Sequence, residues 1–277
     1  MTAAHALALE LGAWAVQHTR THPVTTVTTK ADPADLVTDL DRSIEKYVRE
    51  RVRDHFPDHA FVGEEFGGEA VPGRPTWYLD PVDGTTNLAN AVPWTAFSLA
   101  LAVDDRPLVA VVADPWQDTL FDAVAGEGAR RDGAQLTIRT GASLTGGVVG
   151  SELAGHRGWS GLYELAQSLS AAFCTLRVMG SGTLTLLGPA AGRGVGGIVH
   201  RFSPVDHLAA VLIAHEAGAT VLDGDGRTTL FPGAGGVLVA APETSAELFS
   251  MWKDARDRAS RSGSAESPGS QRAEGSR

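Results

Sequence analysis

Asp80 and Asp83 stand three positions apart in the stretch Trp77 to Asn87, WYLDPVDGTTN. Trp77, Tyr78 and Leu79 are strand formers, Pro81 and the Asp83-Gly84 pair are turn chemistry, and Thr85, Thr86 and Asn87 suit a helix N-terminus. Two carboxylates so close on a stiff segment repel unless something positive neutralises them. One reading is a polar turn with a surface Asp-Gly. The sharper one is a cation site beside an anion site. The carboxylates offer hard oxygens to Mg²⁺, and the N–H groups of Gly84 and Thr85 can hold a phosphate. A segment that binds both is equipped for phosphoryl chemistry.

Further acids stand where elements begin or end. Leu40, Ile44, Val48 and Val52 recur every four residues and predict a helix, with Thr38 or Asp39 as its cap. Asp39 and Asp41 then lie in its first turn, where the helix dipole favours acids, so capping alone is a sufficient reading for both. Ala60 to Val62 predicts a short strand that Gly63 turns, leaving Glu64 and Glu65 at its end. Such a pair is ordinarily just solvated. Val205, Leu208, Ala209, Leu212 and Ile213 predict a second helix, with Ser203 as cap, Pro204 at its first position and Gly218 as its stop. Asp206 follows Ser203 by three, the spacing of a capping box.

These segments together resemble the signatures of the inositol monophosphatase family. The match runs from about Ala3 to Lys253 and is carried by Lys30 to Asp41, Gly63 to Glu65, Trp77 to Asn87, Gly180 to Gly182, and Asp206. The resemblance implies a layered sandwich of alternating helix and sheet layers, mixed α+β and α/β, in a homodimeric, lithium-sensitive enzyme requiring two or three Mg²⁺ ions. It implies that Glu64, Asp80 and the Val82 carbonyl hold one ion and that Asp80, Asp83 and Asp206 hold a second. Glu64 and Thr85 would orient the attacking water, with Asp41 near the metals. Gly84 and Thr85 would bind phosphate, Asp83 would face the leaving group, and Lys30 and Glu65 would support the ligands from behind.

The activity implied is hydrolysis of a small-molecule phosphate monoester. Ser181, Gly182, His200 and Arg201 are the candidate substrate contacts. Members acting on inositol phosphate carry an acid several positions before the last metal ligand and a Trp just before it. Here GGIVHRFSPVD puts Val199, His200 and Arg201 near the acidic position and Val205 in place of Trp. The Gly188-Pro189 pair also breaks a helix that usually runs on. The substrate is therefore a sugar or cyclitol phosphate, or alternatively histidinol phosphate or a nucleotide 3′-phosphate, with Arg201 favouring extra negative charge. A catalytically silent relative serving as a binding protein is the alternative from another class.

The chain has 277 residues, 43% of them hydrophobic, enough for a sizeable core. Three organisational parts are expected. Residues 1–140 form an N-terminal subdomain with helices from Ala3 to His18 and after Thr38, and an antiparallel sheet from Trp77 to Leu136. Residues 141–253 alternate strand and helix, one helix carrying Trp159, Leu162, Ala166 and Leu169 on a single face. Residues 254–277, rich in Ser, Gly and charge, read as a disordered tail.

Composition removes other classes. A formal net charge of −10 without a basic patch argues against nucleic acid and anionic membranes as partners. No stretch is apolar enough to span a bilayer, and the N-terminus lacks the basic start of a signal peptide. Cys174 stands alone, which fits a cytoplasmic protein. Gly192, Gly194 and Gly197 match the dinucleotide fingerprint but lead into an apparent strand instead of a helix. No zinc-type spacing and no GxSxG elbow occurs.

Overall fold

The computed structural model describes residues 2–30, 32–233 and 235–265. α1 (Thr2–Thr21) buries Leu7 and Leu11, while Trp14 stacks on Tyr47 of the next helix. The Thr-rich extended segment forms a small hairpin, β1 (Val27–Thr29) with β2 (Leu36–Thr38). It leads directly into α2 (Asp39–His55), whose four-residue period becomes one buried stripe of Leu40, Ile44, Val48 and Val52. Thr38 is the cap: its hydroxyl accepts from Asp41 N–H, and the Asp41 carboxylate accepts from Thr38 N–H.

β3 (Ala60–Gly63) pairs parallel with β4 (Thr76–Asp83), and the short α3 (Thr85–Ala89) follows. β5 (Ala96–Val103), β6 (Arg106–Asp114), β7 (Thr119–Val124), β8 (Ala129–Arg131) and β9 (Ala134–Leu136) then continue antiparallel. The result is a seven-stranded sheet in the order β3-β4-β5-β6-β7-β8-β9. The β5–β6 turn is the two-residue Asp104-Asp105, both left-handed at φ 46° and 61°. That geometry matches strand twist, and Asp tolerates it.

The second half begins with β10 (Val148–Ser151), α4 (Leu162–Ala171), β11 (Thr175–Val178), α5 (Gly182–Leu187) and β12 (Gly196–Val199). It ends with α6 (Pro204–Glu216), β13 (Thr220–Asp223), β14 (Val237–Ala240) and α7 (Pro242–Ala265). The five-stranded sheet runs β11-β10-β12-β14-β13. β10 is parallel to both neighbours, and β14 is antiparallel to both of its own. The segment containing Gly196 and Gly197 is strand β12, so the glycine fingerprint lacks its helix.

Strand alternation explains the layering. In β4, Trp77 and Leu79 pack with α1 and α2, while Tyr78 points the other way. In β6, Val109, Val111 and Ala113 take the first side and Ala110 and Val112 the second. α5 and α6 fill the space between the two sheets, and α4 and α7 cover the far face of the five-stranded sheet through Leu162, Leu165, Leu169, Leu248 and Trp252. The fold is thus a sandwich of alternating helix and sheet layers. The core between the sheets is shared: Tyr78 and Val112 from the first half and Leu208 and Val239 from the second belong to one cluster.

Three local expectations need correction. α6 does not have one buried stripe; every residue from His207 to Ala214 is buried, because sheets press on both sides and the complement of the expected stripe is also apolar. The buried face of α4 uses Leu165 where Ala166 was expected, and Trp159 lies ahead of the helix. The last helix does not stop near Lys253 but continues to Ala265, through residues read as the start of a disordered tail. Ala255 is fully buried, Arg256 lies 4.3 Å over the Trp252 ring, and Lys253 pairs with Asp257 at 2.7 Å one turn on. Residues 266–277 of the expected tail lie outside the described residues.

Candidate metal and phosphate site

The turn after β4 is shaped by its own backbone. Val82 N–H donates to Asp80 Oδ1 at 2.9 Å, and the register against β5 shifts between Asp80 and Asp83. Gly84 sits at φ 100°, where an added Cβ would meet the Gly180 carbonyl at 2.9 Å and the Trp94 carbonyl at 3.0 Å. Only glycine satisfies both constraints. Thr85 opens α3, whose first N–H groups have no intrahelical acceptor. Thr85 Oγ lies 3.0 Å from the Val82 carbonyl and 3.0 Å from Asp41 Oδ1.

The β3 end supplies the next acids. Glu45 of α2 is fully buried and accepts N–H from Glu65 at 2.7 Å and Phe66 at 3.1 Å, with the Arg49 guanidinium at 2.6 Å. It presses on Gly63, where a Cβ would fall 2.0 Å from Glu45 Oε1. The loop is therefore fixed, with Glu64 toward the cleft and the Glu65 side chain 4% exposed behind it. Lys30 Nζ bridges the two, 2.9 Å from Glu64 and 2.8 Å from Glu65. Those bonds, chiefly to Glu65, raise the Lys30 ammonium against the opposing effect of burial.

Asp80 is buried close to Glu64. Burial, then the charges of Glu64, Asp83 and Asp206, push it well above the usual carboxylate range. Glu64 is raised for the same first reason. Asp83 Oδ2 accepts the Ser181 hydroxyl and the Thr183 N–H, both at 2.6 Å. Asp206, in the first turn of α6, is pushed up to about 7 by burial and by Asp83. Its carbonyl accepts from Thr183 Oγ at 2.6 Å, which ties α6 to α5.

The capping box expected at α6 does not form. Ser203 occupies the cap position without a side-chain capping bond, and its N–H donates to His207 Nδ1 at 3.0 Å. His207 is buried and pushed down to about 4, so it is neutral, with its proton on Nε2. It also explains Gly182, where a Cβ would lie 2.5 Å from His207 Nε2.

Glu64, Asp80, Val82, Asp83, Gly84, Thr85, Gly182, His200, Arg201 and Asp206 line one cleft of about 1140 Å³. Lys30, Asp41 and Glu65 stand behind that wall. Ser181, expected as a substrate contact, is not in the cleft lining: it is fully buried, and its hydroxyl is used on Asp83 and on the Leu184 N–H. Val199, one of the three residues near the expected acidic position, is 2% exposed and forms apolar wall of the cleft. Burial and the Arg201 charge push His200 down.

The donor set suits a hard divalent cation. Asp41, Glu64 and Glu65 bring carboxylate oxygens within 4.8 Å of one another, and among the described residues no other such cluster of acids, His or Cys occurs. Asp83 and Asp206 add charge that Asp80 feels, and Lys30 is paired into the group. Hard oxygens in net negative surroundings are what Mg²⁺ or Ca²⁺ takes. A zinc site of the His/Cys kind is absent among the described residues.

Sequence reasoning missed Glu45, Glu152 and His207. Glu45 carried a signal, a charge one turn after Asp41 beside the apolar stripe of α2. Glu152 carried another, a lone acid directly after the parallel strand β10, at the strand end where α/β sheets bind ligands. Its Oε1 accepts the Thr185 hydroxyl and its Oε2 the Gly180 N–H, and burial first, with the Asp83 charge after it, pushes it up to about 8.

This layered fold around an acid-lined cleft beside a helix start defines a phosphatase, a phosphoric monoester hydrolase. A profile of the inositol monophosphatase family matches residues 1–256, and the chain belongs to that family. It is 33% identical to inositol monophosphatase 2 of Solanum lycopersicum over 69% of this chain and 76% of that one. It is 34% identical to Nus factor SuhB of Pasteurella multocida over 80% of this chain and 84% of that one. The structure of inositol monophosphatase from Anabaena (Nostoc) sp. PCC 7120 superposes with a TM-score of 0.78 at 26% identity, covering 91% of this chain and 96% of that one.

Proposed function

We propose that the protein hydrolyses a small-molecule phosphate monoester, a sugar or cyclitol phosphate, with Mg²⁺ as cofactor. The observation that carries this reading is the convergence of Glu64, Asp80, Asp83 and Asp206 on the cleft that α3 opens into. Glu64, Asp80 and the Val82 carbonyl would hold one ion, and Asp80, Asp83 and Asp206 a second, with a third ion accommodated near Glu65 and Asp41. When bound, Mg²⁺ supplies Lewis acidity and a water acidic enough to attack at neutral pH.

The chain's own groups do the rest. The N–H groups of Gly84 and Thr85 bind phosphate oxygens and favour the charge that builds on them. Thr85 Oγ, held between Val82 and Asp41, orients the attacking water, and Glu64 takes its proton. The water oxygen bonds to phosphorus as the bond from phosphorus to the ester oxygen breaks, and the departing oxygen takes a proton from solvent water in the open cleft to leave as the alcohol. No nucleophilic side chain is required.

Val199 in the cleft wall supports a substrate other than inositol phosphate itself, and Arg201 at the rim supports one with additional negative charge. Histidinol phosphate and nucleotide 3′-phosphates are the alternatives within this chemistry. A binding role is the second reading, favoured by a relative that bears the name Nus factor; the complete set of acids opposes a silent site. We further propose that it is a cytoplasmic, lithium-sensitive homodimer. No helix of the described residues is long and apolar enough to cross a membrane. Phosphate release from a panel of these esters, with Mg²⁺ and with EDTA, tests the reading; absence of metal-dependent turnover on every ester overturns it.

A further inference from the structure

We propose that Glu152 is a positioning residue for Asp83, clamping the segment Gly180 to Thr185 so that Ser181 and Thr183 aim the Asp83 carboxylate into the cleft. The inference rests on the reading of Asp83 as a metal ligand.

Glu152 directly follows β10, a central strand of the five-stranded sheet, whereas Asp83 ends β4 of the seven-stranded one. They make no hydrogen bond to each other; one short segment connects them. Glu152 Oε2 accepts the Gly180 N–H at 3.1 Å, and Oε1 accepts the Thr185 hydroxyl. The two residues that bond Asp83 Oδ2, Ser181 and Thr183, lie between those anchors, each at 2.6 Å from it.

The surrounding backbone is built for this contact. Gly150, two residues before Glu152, lets β10 approach α5: a Cβ there would sit 3.1 Å from Thr185 Cγ2. Gly180 is left-handed at φ 85°, where a Cβ would lie 2.9 Å from Asn87 Nδ2. Asn87 holds the same loop from the other side, donating to the Met179 carbonyl at 2.7 Å. The loop that orients Asp83 is thus gripped by Glu152 at the end of β10 on one side and by Asn87 of α3 on the other. Without Glu152, the Gly180 N–H and Thr185 hydroxyl lose their acceptor, and the segment is free to shift. Displacement of such outer partners costs about 10-fold to 100-fold in metal affinity or activity.

Glutamine keeps an acceptor for Gly180 N–H and a donor that the Thr185 hydroxyl can accept, so it preserves both legs of the clamp. The test compares wild type, Glu152→Ala and Glu152→Gln by Mn²⁺ binding in calorimetry and by kcat and KM on the best ester. Glu152→Ala is expected to weaken Mn²⁺ binding and lower kcat, each about 10-fold or more, with KM nearly unchanged. Glu152→Gln restores both to near wild type. Should Glu152→Ala fail to fold, Thr185→Val removes one leg and is expected to shift affinity and kcat the same way.

Wild-type affinity and kcat in a folded Glu152→Ala, or in Thr185→Val where that variant stands in for it, overturn the clamp. So does a change confined to KM, which makes Glu152 a substrate contact, and so does a Gln variant as impaired as Ala. Wild-type protein that neither binds Mn²⁺ nor releases phosphate overturns the functional reading itself. An intact wild type beside an unaffected Ala variant overturns the clamp alone.

Discussion

Thr85 Oγ lies 3.0 Å from Asp41 Oδ1, so the residue that opens α3 is bonded to the acid that closes the capping box of α2. One carboxylate thus serves folding and site at once. Asp41 is fully buried, and burial raises it against the bonds from Thr38 and Thr85 that favour its charge. Replacing Thr85 with Val keeps the shape and removes the hydroxyl. We expect kcat to fall about 100-fold with little loss of stability, read by steady-state kinetics beside thermal melting. Asp41→Asn should cost both, about 1 kcal/mol of stability through the cap and about 10-fold or more in kcat. A Thr85→Val enzyme with normal kcat contradicts the water-orienting role.

Metal and pH are linked through the acids of the cleft. Asp206, raised to about 7, and Glu152, raised to about 8, hold their protons more tightly folded than unfolded. The stability this gives is complete below the ordinary carboxylate range and is lost as pH rises through 7 and 8. His207, pushed down to about 4, acts with opposite sign, but only below its ordinary 6.5. Between about pH 6.5 and 8.5, therefore, metal-free protein should melt progressively earlier, and Mg²⁺ should raise the melting temperature most at the alkaline end. Calorimetric scans in EDTA and in Mg²⁺ check both; a metal-free melting temperature that climbs across this window contradicts the assignment.

Glu45 and Gly63 form a close pair beneath the loop bearing Glu64. A Cβ on Gly63 would lie 2.0 Å from Glu45 Oε1, and Glu45 is fully buried, so neither partner has room to withdraw. Gly63→Ala is expected to destabilise by about 2 kcal/mol or more. Glu45→Ala, which strands the N–H groups of Glu65 and Phe66 and the Arg49 charge, should cost about 3 kcal/mol. Urea unfolding of each variant measures this.

Arg201 is exposed and lines the cleft. Arg201→Ala should raise KM about 10-fold for esters carrying a second anionic group and leave p-nitrophenyl phosphate unaffected. Equal effects on both substrates assign Arg201 to the common phosphate subsite.

Much of this was legible in the residues. The four-residue period of α2, the strand formers Trp77 to Leu79 and the Pro-started α6 each declared an element, because local burial and capping follow the sequence closely. The acids of the cleft declared themselves by standing at element ends. What escaped depends on long-range packing. Ser181 reads as a surface hydroxyl until α5 is buried between two sheets. Glu152 and Asp83 are joined only through a third segment. Residues 254–265 look solvated until Trp252 and Ala255 find the face of the second sheet. The substrate is the least legible feature, since Val199 records an absent hydrogen-bonding group and does not name the one that replaces it.

Asp80, shared between the two proposed ion sites, is expected to make this cleft a metal-dependent phosphatase. Phosphate release should be measured for wild type in Mg²⁺, wild type in EDTA, and Asp80→Asn in Mg²⁺, across sugar, cyclitol, histidinol and nucleotide phosphates. The account predicts turnover of at least one ester in the first condition and a loss of about 1000-fold or more in the other two. Turnover that survives EDTA, or an Asp80→Asn enzyme as fast as wild type, contradicts it.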